Sequence, residues 1–420
     1  MSTAELIVTA DGLPLKASLA KATRRGKIHA IALVVPLFLF ILVTFFLPIA
    51  DMLIRSVKND VVVDIMPNTT KAIANWDHLG DEAPGEDVFK ALAEDFNVGS
   101  VNKTIGKVGL RLNYEKSGFS GLYRKTARKV KKNPIVAPPY KEAFLALDKK
   151  WERVDYWRIY KRESEKFTKA YYLSAFDAGY NEAGEVVMNN ANQRIYLNLF
   201  WRTLWVSTFI TLLCVILAYP VSYLLSILPS KQSNLLLILV LLPFWTSLLV
   251  RTTAWIALLQ QEGIINDVLV WFGFFATDDR LAMIHNRTGT IVAMTHILLP
   301  FMILPLYSVM KTIPPSYMRA ARSLGATPFT AFVRIYLPNT VSGVGAGVIL
   351  VFILSIGFYI TPALVGGTGG TLISNLIAYH LGVSLNWGLA AALGGMLLAV
   401  VLALYYVYDR IVGIDNMKLG

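Results

Sequence analysis

Ile28 to Ile49 is a continuous, overwhelmingly apolar run. At 1.5 Å per residue it is long enough to cross the roughly 30 Å hydrocarbon core of a bilayer as one helix. Five more such runs follow, Trp201 to Leu228, Leu235 to Leu259, Thr288 to Met310, Thr340 to Ile360 and Leu389 to Tyr408. In lipid each backbone N–H and C=O must find its partner within the segment, so the runs predict helices and an all-α polytopic membrane protein. Composition agrees: 55% of the chain is hydrophobic and only 16% is charged. A formal charge of +12 in a soluble protein would point to nucleic acid. Here no basic helix with interleaved base-reading residues stands out, and membrane topology explains much of the excess. Cys214 is the only cysteine, so no internal disulfide can form.

Charge then orients the spans. Residues 1–27 form a basic tail, with Lys16, Lys21, Arg24, Arg25 and Lys27 ahead of the first span at 28–50, and by the positive-inside rule this end stays cytoplasmic. The first run is too long for a signal-peptide core and no Ala-x-Ala site follows, so it reads as an uncleaved anchor. A polar block at 51–194 is thereby placed outside, since long loops translocate regardless of their charge. It mixes acids, bases and prolines and is long enough to fold. Its second half reads as helical, while Val108 to Tyr114 alternates as a short strand would, so a mixed insert is expected. A five-helix core at 195–413 completes six spans, and 414–420 is a cytoplasmic tail. Between spans, a short external helix is expected near Val268 to Phe275, and a flexible outer loop at Gly366 to Gly370.

One cytoplasmic segment, within 311–338, is built unlike a linker. Pro314 and Pro315 end what precedes it, and Ser316 suits an N-cap. Tyr317, Ala320, Ala321 and Leu324 share one helical face, with Arg319, Arg322 and Ser323 on the other. Gly325 stands where a helix stop needs positive φ. Thr327 then caps a second helix with Pro328 at its first position, and Phe329, Phe332, Val333 and Tyr336 repeat the apolar spacing before Pro338. Two apolar faces around a hinge suit a docking surface. An amphipathic helix lying on the membrane is the alternative, though it needs neither the glycine nor the Leu337-Pro338 end.

The same segment resembles the cytoplasmic coupling motif of permease subunits in binding-protein-dependent ABC importers, a Glu-Ala-Ala followed by Gly and then Ile-x-Leu-Pro. Ala320, Ala321, Gly325, Ile335, Leu337 and Pro338 match that spacing, and Arg319 stands where the family has an acid. The run LPFWTSLLVRTTAWIALLQQEGIIN and the stretch from Gly357 to Gly367 are similar to permeases of the spermidine/putrescine class. The resemblance covers roughly 200–410. The large insert departs from the common pattern, although some members of the class carry one.

The resemblance implies a type I importer permease in a bacterial inner membrane, with both termini cytoplasmic. It implies a second homologous permease subunit, an extracytoplasmic solute-binding protein and two copies of an ATP-binding subunit, which carry ATP and Mg²⁺, so that this chain holds no cofactor. Arg319, Ala320, Ala321, Leu324, Gly325, Ala326, Phe332, Ile335, Leu337 and Pro338 become the ATPase-coupling residues. Trp245, Thr246, Arg251, Trp255, Tyr307 and Tyr359 are the candidates for the translocation path, and polyamines the expected cargo.

Other constellations give less. The glycine run at 366–370 lacks the Gly-Lys-Ser/Thr ending of a nucleotide loop. The histidines have no metal-ligand spacing; His296 alone lies in a span, as a functional group or as a hydrogen-bonded neutral partner between helices. Gly343 with Gly347, and Gly388 with Ala392, suit either an interface with a second permease or packing within this chain. No catalytic triad or carboxylate pair marks an enzyme. The rivals are a secondary transporter, which would carry acids deep in its spans, and a membrane-anchored receptor sensing through the insert.

Overall fold

A computed structural model describes residues 15–78, 80–181 and 184–412, with side chains from residue 26 to 410. The start of the basic tail and the C-terminal tail at 414–420 lie outside the described residues. The chain divides into two units, Met1–Arg55 and Ser56–Gly420. In the first, a helix over Leu15–Ile41 continues through a π segment, Leu42–Phe46, into Leu47–Arg55. Its apolar side chains are exposed all round, Leu33 at 82%, as a lone helix meant for lipid would leave them.

In the second unit, helices Tyr196–Ile227, Arg287–Thr312 and Trp387–Arg410 are each long and apolar enough to cross a membrane; with Gly26–Arg55 they make four among the described residues. Two bent pairs bring the number to six if each is one span. The third run, expected as a span over Leu235–Leu259, is not one continuous helix. Ser230–Trp245 and Leu248–Trp271 meet at 97°. Pro243 lacks an N–H, Thr246 is extended, and the Ser247 hydroxyl accepts from Val250 N to start a new helix. The fifth, Val341–Gly357, breaks by 57° from the Pro328–Asn339 segment before it. Gly343 and Gly347 let this helix approach the fourth-span helix Arg287–Thr312: a Cβ at 343 would lie 2.9 Å from that of Val309, and one at 347 would strike the Met302 sulfur. The first glycine pair thus serves packing inside the chain.

The expected external patch is the helix Ile264–Trp271. The glycine run is not a flexible loop. Gly367–Gly370 forms one helical turn between helices Ile360–Val365 and Ile373–Gly382, and Gly370 is buried.

The block after residue 56 is helical, apart from one antiparallel ribbon of Ala178–Tyr180 with Val186–Met188 among the described residues. Val108 to Tyr114 is not a strand. It belongs to helix Ile105–Asn113, because Ile105, Val108 and Leu112 share a buried helical face that a short period-2 window hides. Phe89, Phe96, Phe144, Trp151 and Trp157 pack the core of the block. Beside it, Arg111 pairs with Glu163 at 2.5 Å, both deeply buried, and with the partly buried Glu115 at 2.8 Å. Burial opposes the Arg111 charge, but Glu163, Tyr171 and Glu115 outweigh it and push its pKa up.

Three contacts fix this block to the span helices. The buried Asp177 carboxylate accepts from the N–H groups of Ile195, Tyr196 and Leu197 at 2.8–3.1 Å, satisfying orphan donors at the start of the second-span helix Tyr196–Ile227. Tyr114 Oη donates to the Ser384 carbonyl at 2.6 Å. The Tyr171 ring lies under the Arg111 guanidinium and against Gly388, at the start of the last-span helix Trp387–Val412. Gly388 and the buried Ala392 thus also serve packing within this chain.

A Cβ at position 388 would run into the Tyr171 ring. Gly388→Ala should therefore cost about 1–3 kcal/mol by overpacking and speed tryptic cleavage of the block. The double variant Gly388→Ala/Tyr171→Ala should lose clearly less than the sum of the two singles. Additive losses in thermal unfolding would mean that the two residues do not touch.

Candidate coupling surface and translocation path

The segment after the fourth-span helix folds as a helical elbow. Helix Pro315–Ser323 is preceded by Pro314 rather than capped by Ser316, which lies inside its first turn. It ends as expected at Gly325, with φ +88°. Gly325 N donates to Arg322 O and Ala326 N to Ala321 O, a Schellman closure that satisfies the last carbonyls. The Thr327 hydroxyl accepts from Thr330 N and Pro328 opens Pro328–Ala331.

A π segment then covers Phe332–Tyr336. Like Leu42–Phe46, it stands just before a Leu-Pro pair. A proline offers no N–H to the carbonyl four residues back and crowds it, and the wider turn lets the leucine bond five back instead, Leu337 N to Phe332 O here. This resets the phase of the apolar face. Ala331 is buried; Tyr336, also buried, and the half-buried Phe332 pack with Tyr219 and Tyr223 of the second span and Leu306 and Met310 of the fourth. Tyr336 Oη shares a hydrogen bond with Ser226 Oγ at 3.2 Å.

The remaining apolar side chains face outward. Leu324 is 89% and Phe329 76% exposed, with Tyr317, Val333, Ile335 and Leu337 around them. Met318, not the Tyr317–Ala320–Leu324 face, packs the first helix inward. Arg319 and Pro338 are exposed, and Ala320, Ala321 and Ala326 leave low ground between the larger side chains. Among the described residues Arg319, Arg322 and Arg334 have no acidic partner. The elbow therefore offers an unburied apolar patch rimmed by positive charge, held from beneath by aromatic rings.

The path candidates divide. Trp245 and Thr246 stand exposed at the 97° bend. Arg251 Nη2 donates to the Thr246 carbonyl at 3.0 Å, while its Nε is buried without a partner among the described residues. Trp255 Nε1 donates to His296 Nδ1 at 3.2 Å, joining helix Leu248–Leu259 to the fourth span. His296 is thus hydrogen-bonded between helices, on an exposed face of the chain. Thr252 and Thr361 share a hydrogen bond at 3.3 Å close by. Tyr359, two positions before Thr361, is 47% exposed, and its carbonyl accepts from Asn375. Tyr307 is apart from these: it meets Ser233 at 3.2 Å, roughly 16 Å farther along the fourth-span helix than His296. The Thr252–Thr361 contact had no sequence signal, since two threonines in separate apolar runs carry no spacing.

A bundle of helices apolar on their outer faces, two of them broken, with a basic apolar elbow at one end, defines a membrane transport subunit rather than an enzyme. The chain belongs to the family of binding-protein-dependent transport system inner membrane components, permease subunits of ABC importers, whose model matches residues 188–413. Over 225 residues it is 34% identical to the spermidine/putrescine transport system permease protein PotB of Haemophilus influenzae, covering 54% of this chain and 78% of that one. The PotB protein of Escherichia coli is 33% identical over 225 residues, with 81% of it covered. A crystal structure of a bacterial ABC transporter involved in the import of the acidic polysaccharide alginate aligns at a TM-score of 0.44 and 22% identity, over 51% of this chain and 79% of that one. The block before residue 188 lies outside the family match.

At Gly325 an added Cβ meets nothing within 4 Å, so Gly325→Val acts through positive φ alone, at a cost of about 1–3 kcal/mol. The variant should insert normally and lose transport sharply, with Gly325→Asn retaining more because Asn tolerates that conformation. Uptake at matched expression checks this. Equal uptake by Gly325→Val and the unaltered protein would remove the elbow from coupling.

Proposed function

We propose that this chain forms half of the translocation path of an ATP-driven polyamine importer and does no chemistry of its own. The observation that carries the reading is the elbow, whose Leu324 and Phe329 are left bare beside arginines with no acidic partner among the described residues. In a lone protein such a patch is a liability, and it becomes reasonable when an ATP-binding subunit covers it. Two copies of that subunit, holding ATP and Mg²⁺, would drive the switch between outward and inward openings. One would receive the elbow through Leu324, Phe329 and Ile335, with Arg319 facing an acid on the partner. A second permease subunit completes the path, and a solute-binding protein delivers cargo on the side of the 56–194 block. Both termini and the elbow are then cytoplasmic and the block is extracytoplasmic.

The polyamine reading rests on the names of the relatives. It limits what this subunit contributes, because an ammonium leaves water at high cost unless a carboxylate or aromatic cage receives it. The second-, fourth- and fifth-span helices contain no Asp or Glu. Trp245, Trp255, Tyr307 and Tyr359 are the aromatics on offer, and Arg251 repels a cation. The same lack of acids disfavours an ion-coupled secondary transporter, and a receptor would not need the elbow.

Purification of the complex should bring down an ATPase, and without its binding protein the complex should show no saturable putrescine or spermidine binding at micromolar levels in calorimetry. Tight binding abolished by replacing those aromatics would contradict a low-affinity passage. Absence of any ATPase would contradict the importer.

A further inference from the structure

Near the end of the second-span helix that joins the folded block lies a recess of about 330 Å³ lined by Asn198, Trp201, Arg202, Trp205 and Arg287. The path described above uses none of these residues. Arg287 opens the fourth-span helix and Arg202 lies in the second turn of the second-span helix, so two guanidiniums from separate helices border one hollow. Arg202 Nη1 donates to the carbonyls of Thr368 and Thr371, which holds that side chain in place. The Arg287 guanidinium lies 5.6 Å from the centre of the Trp205 ring. Among the described residues neither arginine has an acidic partner, and the lining contains no carboxylate. Two like charges kept together without a counterion fit an anion that enters from outside.

The surroundings specify which anion. Trp201 is 73% and Trp205 45% exposed, amphipathic rings of the kind that settle at the membrane–water boundary. From them an exposed apolar stripe runs along the same helix face through Phe209, Leu212 and Ile216, with the Trp205 and Phe209 rings stacked at 5.3 Å. The stripe extends about 22 Å, more than the roughly 15 Å of one leaflet's hydrocarbon. A soluble anion would use the arginines and leave the stripe idle. A phospholipid uses both.

We propose that this recess binds the phosphate headgroup of an anionic phospholipid in the leaflet on the block side. Arg287 and the free guanidinium edge of Arg202 hold the phosphate, the two indoles flank the glycerol region, and an acyl chain lies along Phe209, Leu212 and Ile216. Basic recesses between spanning helices are suited to such headgroups, and arginine forks match phosphate in two-point contact.

The test uses the intact transporter complex in nanodiscs of phosphatidylcholine doped with a phosphatidylglycerol brominated in its acyl chains, with tryptophan quenching as readout. Trp201→Phe and Trp205→Phe identify the share of signal that arises at the recess. The half-saturating phosphatidylglycerol fraction should rise about tenfold in Arg287→Gln, as expected for loss of one charge-assisted contact. Arg287→Lys should fall between, since it keeps the charge and loses the fork. Brominated phosphatidylcholine should quench without saturating, and inorganic phosphate should not compete. Equal behaviour of the two lipids, or of Arg287→Gln and the unaltered protein, overturns the proposal. Displacement by inorganic phosphate reassigns the site to a soluble anion. Absence of quenching by either lipid in the intact complex also overturns the proposal, because a recess closed to lipid by a partner subunit holds none.

Discussion

The close approach of three helices holds this protein together. In lipid there is no hydrophobic drive for one apolar helix to leave hydrocarbon for another, so contact depends on fit and on shared hydrogen bonds. Gly343 and Gly347 supply the fit by letting the fifth-span backbone reach Leu306, Val309 and Met302. Hydrogen bonds across the second and fourth spans supply the rest: Ser222 Oγ donates to the Ile303 carbonyl at 3.3 Å, and Cys214 donates to that of Thr295 at 3.6 Å. The lone cysteine is therefore a buried packing residue.

From that triplet the two ends of the molecule follow. At one end the fourth span runs out at Thr312 and the chain turns through the elbow, whose inner rings rest on Tyr219 and Tyr223 of the second span. Phe332 and Tyr336 thus join the elbow to the second- and fourth-span helices. At the other end Asp177 caps the second span while Tyr171 seats on the last. The block from 56 onward is thus tied to the helices it crowns, not carried on a tether.

Much of this was legible in the sequence. The length of the apolar runs marked where spans lie, and the elbow's Gly325 stop and Thr327 cap could be read because both act through local chemistry. What escaped depends on distant partners or on phase. The 97° bend needed Thr246 to turn extended, and nothing local distinguishes that from a kinked continuous span. Phe329 and Val333 face outward while Phe332 and Tyr336 turn in, a division of the apolar set that depends on what packs beneath it. Val108 to Tyr114 imitated a strand over a window too short to show its helical face. The Trp255–His296 bond joins residues from separate runs, so neither could announce the other.

On the proposed function the elbow faces an ATP-binding subunit on the cytoplasmic side while the block faces away from it. Cysteine accessibility tests both halves at once, because Cys214 is buried and gives little background. Leu324→Cys should react with a membrane-impermeant maleimide only in inverted vesicles, and should cross-link to the co-expressed ATPase. Val136→Cys, 78% exposed in the block, should react only from the outside of intact spheroplasts. Labelling of Leu324→Cys from the outside, or of both positions from the same side, would contradict the account.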